Sequence, residues 1–344
     1  MPSSSLPKLS YVLLSHNREK YIRGAIESAF AQDYEGELEY IFSDDCSTDR
    51  TFEIIKECVA AYKGNRRVVV TQTPKNLHLA GNTNHAVQFV TSDWIVRADD
   101  DDISVRNRCS IVGRAIAANP GCSYVYTLMK TFTDDEIADV QKKLFSDIEN
   151  PQCDKIDVIN GDDDFWESFN QKGILHQVWS MKHIREYGDL PIDSYWIDDV
   201  ITNLRCCTLG YGIKINALTA YIRTGSRNMS RGEDDGSNGF PSIIRLERFH
   251  DQYYNVTFPP LSQQIEQLKQ SLCSDNNLPF INSLSLDLRK RELLCSFWRL
   301  GVLNRIRISR ELGYSGIFSA LRCLPLPIFA FLLALYRKLF KNRK

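Results

Sequence analysis

The chain has 344 residues, enough for two domains or for one large domain with an appendage. A quarter of the residues are charged and the formal net charge is -1, so the overall composition argues against nucleic acid as a partner. The ten cysteines contain no Cys-x-x-Cys pair, which is typical of reduced cytosolic thiols rather than of a disulfide framework or a zinc site. The N-terminal segment lacks an apolar core, so no secretory signal is expected and a cytoplasmic protein is predicted.

Strands and helices alternate along the first third of the chain. Apolar runs predict strands, and helical spacing of apolar side chains predicts helices between them: strands 9–14, 38–43, 67–71 and 94–96; helices 19–32, 52–59 and 86–90. Ser47 or Thr48 could cap the second helix. This alternation predicts an α/β fold with a mostly parallel sheet flanked by helices.

Polar side chains follow three of these strands at the point where each strand ends. They form the segments Ser15-His16-Asn17, Asp44-Asp45 and Asp99-Asp100-Asp101-Asp102. Ligands of parallel α/β sheets bind beyond the carboxyl ends of the strands, so the three segments are predicted to form one site. Four adjacent carboxylates repel one another unless a cation binds, and hard ions such as Mg²⁺ or Mn²⁺ share oxygen ligands with substrate phosphates. A solvated acidic turn is the alternative interpretation of the run.

The C-terminal region has a different character. Past Gly239 the pattern is mainly helical, and the last forty residues carry nine Lys or Arg against one acid. The uncharged stretch Cys323–Tyr336 has fourteen residues, whereas a membrane-spanning helix needs about twenty. We therefore expect a segment that lies in the membrane interface with basic anchors for anionic lipid. A C-terminal helix packed on the protein's own core is the alternative.

The three polar segments are also where the chain resembles a known family. Ser10–Arg18, Phe42–Asp49 and Arg97–Asp102 together resemble the family 2 glycosyltransferases, over roughly residues 8–110 and more loosely to about residue 230. The resemblance implies the GT-A fold, with a Rossmann-like, mostly parallel sheet, and an inverting enzyme that uses a nucleotide-diphosphate sugar. It implies a nucleotide-sugar-binding half over 1–110 and an acceptor-binding half over 111–235, followed by a helical C-terminal extension over 236–344.

The resemblance assigns the first two segments to the nucleoside. Ser15, His16 and Asn17 at the first strand end belong to this part of the site, and Asp45 matches the position that hydrogen-bonds the base. His16 matches a position that is often aromatic, where a ring can stack on the base. A core histidine is the alternative interpretation of His16.

The aspartate run matches the family's Asp-x-Asp signature. Alignment makes Asp101 the metal ligand, with Asp99 as a second candidate, while Asp99 or Asp100 contacts the ribose. The expected ion, Mn²⁺ or Mg²⁺, bridges the two phosphates and neutralises charge on the departing nucleoside diphosphate. Because four aspartates are adjacent, the alignment could slip by one residue.

The resemblance also supplies a catalytic base. Asp199 aligns with the usual base at the start of a helix, and Asp198 stands where Glu is commoner. Two acids that merely stabilise the helix N-terminus are the alternative. The loop Tyr221–Ser230 lacks the His that the family often places near the phosphates, and Arg223 or Arg227 could serve the diphosphate instead.

Some segments depart from the family pattern. His78 replaces a common Gly in the Asn-rich segment, and Thr83-Asn84-His85 replaces the usual Arg-Asn pair. The acidic runs Asp134–Glu136 and Asp162–Asp164 match no family motif and are interpreted as solvated loops.

Together these observations predict a metal-dependent hexosyltransferase-type enzyme. The expected partners are a nucleotide-diphosphate sugar donor, a saccharide acceptor on a lipid carrier, and a membrane surface that the C-terminal tail contacts from the cytoplasmic side. Bacterial surface-polysaccharide synthesis is the setting that the resemblance implies. A sugar nucleotidyltransferase and a catalytically inactive, membrane-docked sugar-nucleotide-binding protein are the alternatives.

Overall fold

The structure is a computed structural model that describes residues 5–145, 156–159, 174–190, 198–207 and 209–224. The Cα positions divide the chain into two units, Met1–Glu233 and Asp234–Lys344. All described residues belong to the first unit. The predicted helical extension over 236–344, including its basic tail, lies outside the described residues.

Strands and helices in the described residues occur in the predicted alternation. The strands are β1 (Leu9–Ser15), β2 (Leu38–Asp44), β3 (Val68–Gln72), β4 (Trp94–Asp99), β5 (Ile103–Ser104), β6 (Cys122–Phe132), β7 (Ile156–Ile159), β8 (Ile174–Ser180) and β9 (Tyr211–Arg223). The helices are α1 (Ile22–Phe30), α2 (Thr51–Ala61), α3 (His78–Val87), α4 (Arg108–Ala118), α5 (Ile137–Phe145), α6 (Lys182–Tyr187) and α7 (Asp198–Cys207), with a 3₁₀ turn at Asp134–Glu136.

All nine strands belong to one sheet with the order β3-β2-β1-β4-β8-β6-β9-β5, and β7 pairs with β9. The four strands β3, β2, β1 and β4 are parallel neighbours, and β6 runs parallel to β9. Strand β8 is antiparallel to β4 and β6, while β5 and β7 are antiparallel to β9. The predicted α/β fold with a mostly parallel sheet is thus confirmed, and the antiparallel pairings arise only after the aspartate run.

Burial explains why the first strands are apolar throughout. Every residue of β1 and of β2 is buried, as expected for strands covered by helices on both faces. Helix α1 contributes Ile22, Ala25, Ile26 and Ala29 to this core at the predicted helical spacing. The carboxyl ends of the strands are thereby held on a rigid layer.

Helix α3 begins at His78, whereas the sequence indicated a helix only near Ala86. The asparagines that made this segment look like a loop are used in tertiary hydrogen bonds. Asn82 accepts a hydrogen bond from Ser43, and Asn84 bonds both backbone groups of Leu190. Tertiary partners thus outweigh the low helix propensity of Asn.

The cap predicted for α2 is wrong. The helix begins at Thr51, where Asp49 Oδ1 accepts the Thr51 N–H at 2.9 Å. Ser47 instead donates its hydroxyl to Asp44, and Thr48 donates its N–H to Asn17. Both residues hold the preceding loop rather than the helix.

Two further findings concern membrane-spanning helices and the cysteines. No helix in the described ranges is both long and apolar enough to cross a membrane. Among the described residues, the cysteines at 46, 58, 109, 122 and 206 are free thiols.

Candidate functional site

The strand register brings the three polar segments to one edge of the sheet. Ser15 lies opposite Asp44, and Leu14 lies opposite Asp99. The Asp45 N–H donates to Ser15 O at 2.8 Å, and the His16 N–H donates to Asp100 Oδ2 at 2.9 Å. The predicted meeting of the three strand ends is present in the structure.

The His16 ring is held in one orientation by three contacts. Its Nδ1 lies 2.8 Å from Asp45 O, and its Nε2 lies 3.0 Å from Asn76 Nδ2 and 3.2 Å from Asn17 Nδ2. The Oδ1 atoms of both asparagines accept backbone N–H groups, so their amide groups face the ring. The hydrogen of the ring therefore sits on Nδ1. The ring is half-buried, which contradicts a core histidine and leaves a fixed aromatic surface at the strand end.

Asp44 is the structural member of the Asp44-Asp45 pair. Its carboxylate accepts the Ser47 N–H at 2.9 Å, Gln72 Nε2 at 2.8 Å and the Ser15 hydroxyl at 3.3 Å. These bonds use both oxygens and close the loop after β2.

Asp45 is held differently. Its Oδ1 accepts the Thr73 hydroxyl at 2.8 Å and the Leu77 N–H at 2.8 Å. Among the described residues these bonds converge on one oxygen, so Oδ2 is the atom suited to a ligand N–H. The structure thus separates two adjacent aspartates that the sequence pattern treats alike.

Backbone strain is concentrated at this edge. In the described residues the non-glycine positions with positive φ are Asn17 (54°), Cys46 (54°) and His78 (60°). Asn17 and Cys46 follow two strand ends of the site, and His78 begins α3 next to Leu77, whose N–H bonds Asp45. Left-handed backbone at such positions costs on the order of 1–3 kcal/mol and persists where the surroundings hold it, which is common at functional sites.

Three of the four adjacent aspartates are buried, so the solvated-turn interpretation is wrong for them. Asp100, Asp101 and Asp102 expose 8%, 8% and 7% of their surface. Asp99 ends β4, exposes 36% of its side chain and accepts Arg97 Nη2 at 3.0 Å. Asp99 is therefore the most accessible carboxylate of the run.

Burial raises the pKa of Asp100, Asp101 and Asp102, and the neighbouring carboxylates raise it further. Arg18 opposes this effect on Asp100 and Asp101: its Nε lies 3.6 Å from Asp100 Oδ1 and 3.8 Å from Asp101 Oδ2. Burial and carboxylate repulsion together outweigh the effect of Arg18 on the pKa of Asp100 and Asp101. A further cation at this position would stabilise the run.

The donor chemistry of the run fits Mg²⁺ or Mn²⁺. These ions prefer oxygen ligands and are often held by one or two carboxylates together with substrate phosphates. Asp101 and Asp99 would supply the carboxylates. Across the described residues there is no group of three or more His, Cys, Asp or Glu side chains arranged to hold an ion.

Arg223 ends β9 and lies directly against the aspartate run. Its Nε donates to Asp101 O at 3.0 Å, and its backbone N–H donates to Asp102 Oδ1 at 3.0 Å. The guanidinium lies over the rings of Tyr21 and Phe132, with its central carbon 4.3 and 4.5 Å from the ring centroids. Arg223 is thus tightly held against the aspartate run, and its proposed role toward the diphosphate stays a prediction.

The run Asp134–Glu136 is exposed in a 3₁₀ turn, in agreement with the predicted solvated loop, but Asp134 also contacts the site. Its Oδ1 accepts Arg223 Nη1, and its Oδ2 lies 2.6 Å from Lys20 Nζ. The hydrogen bond from Lys20 is the main reason that the pKa of Asp134 lies below its usual value. No sequence motif marks this residue, because its partners lie 89 and 114 positions away. Arg18, which lies near Asp100 and Asp101, is by contrast part of Ser10–Arg18, a segment that the family resemblance marks in the sequence.

The candidate base lies at a helix start, as predicted. Asp198 and Asp199 are the first two residues of α7. Their side chains lie outside the described part of the structure, so the assignment of Asp199 as base and of Asp198 as its neighbour stays a prediction. Arg227 and the acidic run Asp162–Asp164 also lie outside the described residues.

Residues 10–168 match the sequence model of glycosyl transferase family 2. This part of the chain is a family 2 glycosyltransferase domain. It contains all three strand ends of the candidate site, and the helix with Asp198 and Asp199 follows it.

Curated relatives match somewhat less than a third of the chain. EpsE of Bacillus subtilis (strain 168), a proposed glycosyltransferase, is 37% identical over 105 residues, which are 30% of this chain and 37% of EpsE. Poly(ribitol-phosphate) beta-N-acetylglucosaminyltransferase TarS of Staphylococcus aureus (strain Mu50) is 31% identical over 97 residues, which are 28% of this chain and 16% of TarS. The matched segments thus span well under half of either relative.

Solved structures confirm the fold. The crystal structure of S. aureus TarS superposes with a TM-score of 0.57 at 13% identity, covering 96% of this chain and 53% of TarS. TarS 1-349 in complex with UDP-GlcNAc superposes with a TM-score of 0.56 at 15% identity, covering 93% of this chain and 82% of that one. The glycosyltransferase domain therefore has the GT-A architecture of these enzymes.

Proposed function

We propose that this protein is a metal-dependent, inverting glycosyltransferase that moves a sugar from a nucleotide-diphosphate sugar to a saccharide hydroxyl in surface-polysaccharide biosynthesis. The observation that carries the proposal is the meeting of three strand ends in a family 2 domain, where the His16 N–H bonds Asp100 at 2.9 Å. This contact supports the proposal, because the loop that would hold the base lies next to the aspartate run that would hold the phosphates.

The described residues divide between the two halves of a nucleotide sugar. The fixed His16 ring and Asp45 would hold the base, with Ser15 and Asn17 shaping the loops around it. The ribose would lie between the base and the aspartate run, within reach of Asp99 or Asp100. Asp101, together with Asp99, would hold the ion that binds the diphosphate. Since TarS has been crystallised with UDP-GlcNAc, uridine donors are the first to test.

Transfer with inversion is a single displacement at the anomeric carbon. The acceptor oxygen forms a bond to that carbon while the bond from the carbon to the diphosphate oxygen breaks, and the electron pair leaves with the nucleoside diphosphate. The acceptor proton passes to the carboxylate of Asp199, with Asp198 beside it at the start of α7. When bound, Mn²⁺ or Mg²⁺ supplies positive charge to the departing diphosphate. Arg223 adds fixed positive charge next to Asp101, and Arg227 is the other candidate for the diphosphate.

The site favours this function over a sugar nucleotidyltransferase. That reaction needs a glycine-rich basic loop for a triphosphate after the first strand. Here the loop after β1 is Ser15-His16-Asn17-Arg18, and its His16 N–H is bonded to Asp100. A catalytically inactive binding protein is the remaining alternative. Transfer that depends on Asp199 would distinguish an active enzyme from it.

The proposals for the acceptor and for the location of the protein rest on the C-terminal tail. We infer that the basic tail docks the enzyme on the cytoplasmic face of a membrane, which would bring it close to a saccharide on a lipid carrier.

The first test measures release of nucleoside diphosphate from a panel of UDP-, GDP- and dTDP-sugars with and without Mn²⁺. Wild-type protein should release it in a metal-dependent way from at least one donor. Asp101→Asn should abolish both metal-dependent release and metal-dependent nucleotide binding, because one ion ligand is lost. Asp199→Asn should abolish transfer while nucleotide binding persists, because only the base is removed.

The matched control is Asp135→Asn, which removes an exposed carboxylate of the same chain. It should leave release and binding as in wild type. Full activity of the Asp101 or Asp199 variant would overturn that residue's assignment. A wild-type protein that binds no nucleotide in a metal-dependent way would overturn the proposed function.

A further inference from the structure

Asp134 lies at the end of a chain of contacts that leads to the aspartate run. Its Oδ1 accepts Arg223 Nη1, and Arg223 Nε in turn donates to Asp101 O at 3.0 Å. The same arginine donates its backbone N–H to Asp102 Oδ1 at 3.0 Å. Asp134, which lies outside the family motifs, is therefore linked through Arg223 to Asp101, the residue proposed to bind the ion.

The geometry leaves the Arg223 guanidinium little freedom. The rings of Tyr21 and Phe132 lie 4.3 and 4.5 Å from its central carbon, and the arginine exposes 4% of its surface. Hydrogen bonds at Nε and Nη1 then set its rotation in the plane. Among the described residues, Asp134 is a hydrogen-bonded anionic partner of this guanidinium and helps to fix the position of its charge.

Asp134 is well placed for this role, and the cap of its own turn does not use its carboxylate. It exposes 44% of its side chain, and the capping box of its turn is formed by Thr133 and Glu136. Lys20 at 2.6 Å fixes its second oxygen from the loop before α1. The carboxylate therefore joins the end of β6, the loop before α1 and the end of β9 next to the site.

We propose that Asp134 is a positioning residue of the donor site: it fixes Arg223, and Arg223 holds the turn Asp101-Asp102 in the geometry that receives the divalent ion and the donor diphosphate. This inference rests on the proposed function. It concerns the phosphate half of the site, because the contacts of Asp134 do not include the base-binding residues His16 and Asp45.

The test compares binding of UDP with Mn²⁺ and binding of UMP without metal, both by titration calorimetry. Asp134→Asn should weaken binding of UDP with Mn²⁺ about tenfold, because the amide cannot pair with both Arg223 and Lys20. UMP affinity should change by no more than about twofold, because the base half is untouched. GDP with GMP, or dTDP with dTMP, replaces this pair if wild-type protein binds it instead.

Asp135→Asn is the matched control, because Asp135 is exposed in the same turn. A second variant, Arg223→Lys, keeps the charge but loses the planar fork, and it should reproduce the loss. The double variant should be no weaker than Arg223→Lys alone, because both residues act through one contact.

The outcomes are distinguishable. If wild-type protein shows no metal-dependent nucleotide binding, the proposed function fails and this inference fails with it. If wild-type protein binds and Asp134→Asn matches Asp135→Asn, only the role of Asp134 is overturned. An equal loss for UMP and for UDP with Mn²⁺, or additive losses in the double variant, would also overturn it. Should Asp134→Asn fail to fold, Arg223→Lys carries the same comparison of UDP with UMP.

Discussion

Single residues in this protein differ in charge behaviour according to their burial. The carboxylates of Asp100, Asp101 and Asp102 lie in one buried turn, where lost solvation raises their pKa. Asp134 is partly exposed and paired with two cations, and its pKa is lowered. The aspartates of the run therefore repel one another in a buried turn, whereas Asp134 is a carboxylate that pairs with Lys20 and Arg223.

His183 is a buried ionisable residue far from the aspartate run in sequence. Its ring exposes 1% of its surface, lies against Trp179 with a centroid distance of 6.3 Å, and has Nδ1 2.7 Å from Ser180 O. Burial lowers the pKa of His183 from 6.5 to about 4, and the charge of Arg205 adds to the effect. The folded protein therefore favours the uncharged ring.

This shift predicts a pH dependence of stability. The His183 ring takes up a proton near pH 6.5 in the unfolded chain but only near pH 4 in the folded protein. The stabilisation that comes from the uncharged ring is therefore fully present above pH 6.5 and is lost as the pH falls toward 4. Because of His183, the free energy of unfolding should be lower by about 2 kcal/mol at pH 5 than at pH 8. His183→Gln should lack this part of the loss in urea unfolding at the two pH values. An identical pH dependence in both proteins would contradict the prediction.

At the scale of elements, helix α3 is hydrogen-bonded to the segment that follows α6. Asn84 Nδ2 donates to Leu190 O at 2.7 Å, and Asn84 Oδ1 accepts the Leu190 N–H at 2.8 Å. Arg205 of α7 holds the same segment by donating to Gly188 O and Asp189 O at 2.7 and 3.1 Å. The segment 188–190 is thereby held between α3 and the helix that carries the proposed base.

We expect Asn84→Ala to loosen this segment. Loss of the two amide hydrogen bonds should lower the free energy of unfolding by about 1–3 kcal/mol, because two backbone groups lose their partners. Hydrogen exchange in a peptide that covers 188–190 should become faster.

Gln88→Ala is the control for Asn84→Ala. Gln88 is exposed at the end of the same helix, so its replacement should change stability by less than about 0.5 kcal/mol and leave exchange as in wild type. Unchanged exchange at 188–190 in Asn84→Ala would show that Asn84 does not hold the segment.

At the scale of the whole molecule, the remaining prediction concerns the membrane. Five basic residues after the apolar stretch Cys323–Tyr336 should bind anionic lipid, each contributing about 1 kcal/mol. Replacing them with Gln should abolish flotation with vesicles of phosphatidylglycerol and phosphatidylcholine, and salt should weaken the wild-type interaction. The replaced residues are Arg337, Lys338, Lys341, Arg343 and Lys344.

The matched control neutralises the same number of exposed basic residues in the glycosyltransferase domain: Arg50, Lys56, Lys63, Lys142 and Lys182. This variant should float like wild type, because its tail is intact. Equal loss of flotation in both variants would indicate attraction by overall charge, and continued flotation of the tail variant would exclude the basic anchor.

The sequence by itself determined the α/β class, the order of the first four strands and helices, and the meeting of the three polar strand ends. These features depend on local patterns: a buried strand is apolar along its length, and parallel strands bring their carboxyl ends to one edge. The family motifs lie at these strand ends, so the site near His16, Asp45 and Asp101 could be located from the chain alone.

Tertiary structure decided what the local pattern does not contain. Asp44 and Asp45 are adjacent and identical, yet their partners differ: the bonds of Asp44 use both carboxylate oxygens and close a loop, whereas those of Asp45 converge on Oδ1. The helical start at His78 depends on distant partners of Asn82 and Asn84. Asp134 could not be found because its partners, Lys20 and Arg223, are brought together by strand pairing over about one hundred residues. Burial and long-range charge pairs are properties of the packed sheet, and they set the roles of these side chains.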